Sequence, residues 1–145
     1  MQPIWQPGIT LDDLRGSLRA TLGEHFGIEL TELGADYLTG TMPVNVRTCQ
    51  PSRLLHGGAS AAFAETLGSL AANGAAGTAT ERWVGQELNA NHVRPAPVGT
   101  VVTGTARPFH IGRRSQVWGI EILGEDSKLV CVARLTMAMV RAKQA

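Results

Sequence analysis

Between Arg53 and Glu81 the chain carries a long run rich in alanine and glycine, in which Glu65 is the only ionisable residue apart from His56. Alanine favours helix, and glycine permits close packing against another layer at some cost in stability. The run therefore predicts a helix over Gly57 to Asn73, terminated by glycines at 74 and 77. It is the only segment long enough to lie across the extended segments that surround it. Arg82 to Val93, Val98 to Phe109, Ser115 to Leu123 and Lys128 to Arg141 all read as strands. In the third of these, Val117, Gly119 and Glu121 alternate with Trp118, Ile120 and Ile122, the period of a half-buried strand. Gly124-Glu125-Asp126-Ser127 reads as the hairpin turn before the last strand.

Upstream, Thr10 can cap a first helix, with Asp13 as the acidic partner of a capping box. Leu11, Leu14, Leu18 and Leu22 recur at helical spacing, and Gly23 to Gly27 ends the helix. Ile28 to Pro43 reads as two short strands around Gly34-Ala35-Asp36, and Asn45 to Leu55 as a loop. The predicted class is α+β: a curved antiparallel sheet wrapped around one long central helix. One helix covers one face only, so the other face or a sheet edge is expected to meet a second copy. With no internal repeat, a single domain is expected over 10–142, behind an N-terminal tail over 1–9.

Composition narrows the functional classes. With 43% hydrophobic and 17% charged residues in 145, the chain is globular. A net charge of +1 gives no general electrostatic reason to expect nucleic acid or an anionic membrane as partner. Cys49 and Cys131 form no close pair, and without a nearby Cys/His cluster a zinc site is not expected. The N-terminus lacks the basic and apolar regions of a secretory signal. The Gly57 to Ala76 stretch is too weak for a span of about 20 strongly apolar residues. A cytoplasmic location with reduced thiols is the expectation.

A lone carboxylate on an apolar helix is costly unless it is paired, solvated or placed at a working cleft. Glu65 on the helix's solvent face and Glu65 at a cleft both fit the periodicity. Ser69 shares its helix face, four residues on, and can hold a water beside it. His56-Gly57-Gly58 opens the helix, where free backbone N–H groups and the positive dipole end suit an oxyanion. Gln50, in the preceding loop, offers a neutral donor. Ser60 and Ser69 lie outside any nucleophile elbow, and the glycines match neither phosphate-loop pattern. His25, His56, His92 and His110 are widely spaced, and Cys49 has no evident base.

The runs Gln50-Pro51-Ser52-Arg53-Leu54-Leu55-His56-Gly57-Gly58-Ala59-Ser60 and Ala64-Glu65-Thr66-Leu67-Gly68-Ser69 resemble the hotdog-fold acyl-CoA thioesterases of the PaaI-like superfamily. Thr41 to Val44, Glu87 to Arg94 and His110 to Trp118 extend the likeness to about Thr10 through Val140. The nearest subgroup hydrolyses 1,4-dihydroxy-2-naphthoyl-CoA in menaquinone or phylloquinone synthesis. Relatives act on 4-hydroxybenzoyl-CoA or on mischarged aryl carrier protein. The resemblance implies that Glu65 is the catalytic carboxylate, as nucleophile or general base. It implies that Gln50 and His56 polarise the thioester, that the Gly57 N–H is the oxyanion donor, and that Ser69 positions water. It further implies a dimer with shared active sites, and a tetramer built from it, in which Gln50, His56 and Gly57 of one subunit face Glu65 and Ser69 of another. Gly58, His92, Arg113, Arg114 and Ser115 fall where relatives hold CoA, although Ser115 stands where the nearest subgroup carries histidine. A solvated basic loop is the rival reading of Arg113 and Arg114. No metal or organic cofactor is implied. The expected function is hydrolysis of an aromatic acyl-CoA. The alternatives are a broad housekeeping thioesterase on phenylacetyl- or medium-chain acyl-CoA or a carrier protein, a non-catalytic acyl-CoA-binding domain, and a dehydratase using His56.

Overall fold

The computed structural model describes residues 2–141. Met1 of the expected tail and Ala142 of the expected domain lie outside the described residues. Six strands form one antiparallel sheet: β1 (Glu29–Leu33), β2 (Leu38–Pro43), β3 (Glu81–His92), β4 (Val101–Ile111), β5 (Ser115–Leu123) and β6 (Leu129–Arg141). Their spatial order is β1-β2-β4-β5-β6-β3, so β1 and β3 are the edges. Helices α1 (Leu11–Gly16) and α2 (Leu22–His25) precede the sheet, and α3 (Gly57–Ala76) packs on one of its faces. One long helix in the embrace of an antiparallel sheet is the hotdog fold, as expected.

The core lies between α3 and the sheet. Phe63, Ala64, Leu67, Ala71 and Ala72 on the helix are fully buried, as are Trp118, Ile120 and Ile122 of β5 and Leu135 and Met137 of β6. Each large apolar side chain so buried contributes roughly 1.5–3 kcal/mol. Two glycines set the separation of the layers. A Cβ on Gly68 would stand 2.6 Å from Leu135 Cδ2, and one on Gly104 would stand 2.7 Å from Leu67 Cδ1. The buried amide of Gln116 is satisfied by accepting from Trp118 Nε1 at 2.8 Å and donating to the Ala72 carbonyl at 3.3 Å. The segment expected as a tail is fastened here: Trp5 stacks on Trp118 with ring centroids 6.5 Å apart.

Three expectations need correction. The helix predicted from Thr10 is two helices, because the chain turns after Gly16 and restarts at Thr21, whose hydroxyl accepts from the Gly23 N–H. Ala20 takes a left-handed φ of 55° in that turn, with its N–H donated to the Glu24 carboxylate at 2.7 Å. Leu14 and Leu18 reach the core, whereas Leu22 is 52% exposed. Gly74 lies inside α3, buried near Leu14 and Trp5, and the helix runs on to Ala76. The strand expected from Val98 begins at Val101, because Gly99 (φ 96°) and Thr100 make the preceding turn.

Glycine in a strand interior is usually replaced by alanine with a gain. Gly104→Ala should reverse that sign, destabilising by about 1–3 kcal/mol through overpacking against Leu67 and Phe63; urea unfolding measures it. A second expectation concerns pH. Thr10 donates from both its hydroxyl and its N–H to Asp13, holding that carboxyl below its usual value. Its contribution is then present above the unfolded-state pKa and is lost as pH falls through the lower folded value. Asp13→Asn should lower Tm at pH 7, with the gap to wild type closing below about pH 4.

Candidate active site

The chain before α3 is irregular in sequence but pinned in space. The Gln50 N–H donates to the Leu54 carbonyl at 2.8 Å, and the Arg53 N–H returns to the Gln50 carbonyl at 2.9 Å, with Arg53 at a left-handed φ of 64°. The His56 N–H is held by the Thr48 carbonyl at 2.8 Å. Thr48 is itself buried, donating its hydroxyl to the Pro43 carbonyl at 2.7 Å. His56 then caps α3: its Nδ1 accepts from the Gly58 N–H at 2.8 Å. That bond fixes the tautomer with the proton on Nε2, which leaves an N–H available to a ligand.

Gly57 opens the helix against the His92 imidazole; a Cβ there would stand 2.9 Å from Nε2. Gln50, Gly57 and His92 share a cleft of about 250 Å³ with Leu55, Ser60 and Arg94. The Gly57 N–H, the first-turn donor that His56 does not engage, and the positive end of the helix dipole make this cleft suited to a polarised carbonyl oxygen.

Glu65 and Ser69 lie elsewhere. They line a groove of about 370 Å³ between α3 and the turn that leads into α2, with Leu18, Leu22, Ala62 and Leu70 as apolar wall. Glu65 is exposed in the protomer, and the Ser69 hydroxyl is directed at Met137 Sδ, 3.8 Å away. Eight residues separate Gly57 from Glu65, about 12 Å along a helix. A thioester carbonyl held by one Gly57 is therefore out of reach of the same protomer's Glu65. Arg113 and Arg114 line a third hollow, of about 690 Å³, with Glu81, Met139 and Arg141. Ser115 begins β5 nearby, exposed, and is absent from that lining. Gly58 lies against His56, where a Cβ would come within 3.0 Å of Nδ1.

The protein-family model for the thioesterase superfamily matches residues 53–131, the segment from the helix cap through β6's first residues. The chain belongs to that superfamily. The proofreading thioesterase EntH of Cronobacter turicensis is 48% identical over 140 residues, covering 94% of this chain and 98% of that one. The crystal structure of a thioesterase from Haemophilus influenzae superposes with a TM-score of 0.90 at 42% identity, covering 97% of each chain. A mutant thioesterase from Pseudomonas aeruginosa gives 0.91 at 42% identity, covering 96% of this chain and 99% of that one. The hotdog thioesterase is thus a thioester hydrolase, and the non-catalytic reading falls away. No helix among the described residues is long and apolar enough to cross a membrane. Among them, no three His, Cys, Asp or Glu side chains gather as metal ligands would.

Sequence reasoning missed Gly85, Asn73, Arg94 and Arg141, along with the groove wall built by Leu18 and Leu22. Gly85 had a signal, since glycine inside a strand marks a bulge or a close approach. The β3–β6 register does shift between Gly85 and Glu87. Arg94 closes the Glu87 to Arg94 run of the family likeness, which gave it no role of its own, and Arg141 had no signal beyond its charge.

The cap that His56 forms and the polarising role expected of its Nε2–H separate by substitution. His56→Asn keeps a good N-cap and removes the Nε2 donor; His56→Ala removes both and should cost about 1 kcal/mol of stability. Both variants should lose thioesterase activity, while only the alanine variant melts earlier; thermal denaturation beside a thiol-release assay checks this.

Proposed function

We propose that this thioesterase hydrolyses a hydroxyaryl-CoA thioester such as 1,4-dihydroxy-2-naphthoyl-CoA, at a site shared between two copies. The observation that carries the reading is the groove beside Glu65. Its volume, about 370 Å³, is within the small-ligand range. Its wall combines the leucines at 18, 22 and 70 with the hydroxyls of Ser17, Thr21 and Thr66, and Glu65 is its only ionisable residue. A flat apolar ring carrying hydroxyl groups fits that chemistry better than a charged or a fully aliphatic acyl chain.

Sharing follows from the ~12 Å between Gly57 and Glu65 on one helix. It is supported by the long β3 edge, which pairs only with β6 inside the protomer. In the proposed site the thioester oxygen lies at the Gly57 N–H and the Gln50 amide, with the His56 Nε2–H beside them. Glu65 of the second copy then takes a proton from a water, held by Ser69, that attacks the carbonyl carbon, or attacks that carbon itself to give a mixed anhydride whose bond to Glu65 water then cleaves. The C–S bond breaks as the carbonyl reforms, and water supplies the acid's oxygen and the thiol's proton. These donors act most strongly on charge that develops only in the transition state. Arg113 and Arg114, with Gly58 and His92, are the proposed contacts of the CoA moiety; guanidinium groups suit its phosphates. A dimer, and a tetramer built from it, is the proposed assembly.

A second reading has its own support. The relative at 48% identity is named a proofreading thioesterase, which favours an aryl group carried on a protein thiol. Free-thiol release from 1,4-dihydroxy-2-naphthoyl-CoA, benzoyl-CoA and hexanoyl-CoA, with wild type and Glu65→Ala side by side, tests the proposal. Rapid aryl-selective release, lost by about 10²- to 10⁴-fold in the variant, is the expected result. Equal rates on all three would favour a housekeeping enzyme, and slow release from every CoA ester would favour the carrier-bound substrate. Undiminished turnover in Glu65→Ala would remove Glu65 from the mechanism.

A further inference from the structure

Glu65, Ser69 and Asn73 follow one another at four-residue intervals, so they form a single ridge along α3. That ridge lies against β3, running the opposite way. At one end, Asn73 docks the strand. Its Nδ2 donates to the Ser69 carbonyl and to the Trp83 carbonyl, each at 2.9 Å. Its Oδ1 accepts from the Trp83 N–H at 3.0 Å. The amide thereby occupies both main-chain groups of one β3 residue, as a neighbouring strand would. At the other end, two residues along β3, the Glu65 carboxylate rests on Gly85. A Cβ built on Gly85 would stand 3.3 Å from Glu65 Cδ and closer still to Oε1. Gly85 has a negative φ, absent from the left-handed glycines, so backbone conformation does not require glycine there. The space does, because a carboxylate fills it.

We infer that Gly85 is a positioning residue: its missing side chain is the seat of the Glu65 carboxylate, and Asn73 holds that seat at a fixed distance from α3. The inference rests on the reading of Glu65 as the catalytic carboxylate. A methyl group at position 85 has two ways to be accommodated. Either β3 retreats from α3, or the carboxylate moves. The strand is tied by two hydrogen bonds between Asn73 and the Trp83 main chain and by its ladder with β6. The carboxylate is the free end of a flexible, exposed side chain, so it yields. Displacement by about 1 Å is enough to cost a reaction up to ~10²-fold, while the fold loses little.

Gly85→Ala, Glu65→Ala and the double variant, assayed for thiol release with 1,4-dihydroxy-2-naphthoyl-CoA or whichever ester the wild type cleaves fastest, test this. The expected result is a kcat lowered roughly 10- to 100-fold in Gly85→Ala, with KM and Tm close to wild type. In the Glu65→Ala background the same substitution should cost nothing more, since a misplaced group that is already absent has no further effect. Full kcat in Gly85→Ala, with Glu65→Ala inactive, would overturn the inference and leave the role of Glu65 intact. A lowered Tm with equal loss in both backgrounds would assign Gly85 to packing alone and overturn it too. An active Glu65→Ala would overturn the underlying reading, and the inference with it.

Discussion

The close approach of α3 to the sheet governs the rest of this molecule. Hydrocarbon on one layer fills the space that glycine leaves on the other: Leu135 opposite Gly68, Leu67 and Phe63 opposite Gly104. Interiors packed to this density transmit a displacement rather than absorb it. Anything carried on α3 is consequently held in a fixed relation to every strand beneath it. The helix carries both halves of the proposed chemistry, the Gly57 N–H at its start and a carboxylate two turns later. A looser helix would satisfy the hydrophobic effect almost as well, but it would not hold two groups to catalytic tolerance.

For the proposed site, the same rigidity leaves one protomer incomplete. A helix long enough to support the core sets its N-terminus and Glu65 about 12 Å apart, and no side-chain motion closes that gap. In the proposed dimer, a second copy related by a two-fold axis would bring each half to the complement of the other, because an isologous interface exchanges the two positions. β3 is the available edge, twelve residues long. Exposed edges of that length are hazards unless they are managed. Here the Asn73 amide closes the edge at Trp83, which limits the stretch left open for a neighbour.

Much of the fold was legible because the sheet strands follow simple periodicity. β5 was delimited at both ends by its alternation and by the turn residues beside it, and β3 and β6 came within one residue. The first helix was not legible. Four leucines at helical spacing described an apolar stripe, yet tertiary packing buried Leu14 and Leu18, drew Leu11 only partly against the core and left Leu22 at the lip of a groove. Of the candidate site, the helix cap and Glu65 stood out as exceptions in an otherwise uniform run. The separation of that set into two clefts left no mark in the periodicity; it was expected only from the family resemblance, which divides Gln50, His56 and Gly57 from Glu65 and Ser69. The order in the loop before α3 was equally hidden, since it comes from non-repeating main-chain bonds, such as His56 to Thr48, that leave no periodic trace.

Glycine shows where this kind of reading stops. Gly68, Gly104 and Gly85 look alike as letters, and each leaves room for something opposite. For the first two the occupant is a leucine or phenylalanine side chain, so the vacancy serves the core. For the third it is a carboxylate, and the vacancy sets where a charge resides. Core contacts are many and share strain among neighbours, whereas a carboxylate at a reacting carbon tolerates little displacement. The same added methyl group therefore acts on stability in one place and on rate in the other. Which effect follows depends on the atom across the gap, a property of the packed structure that no local window of residues contains.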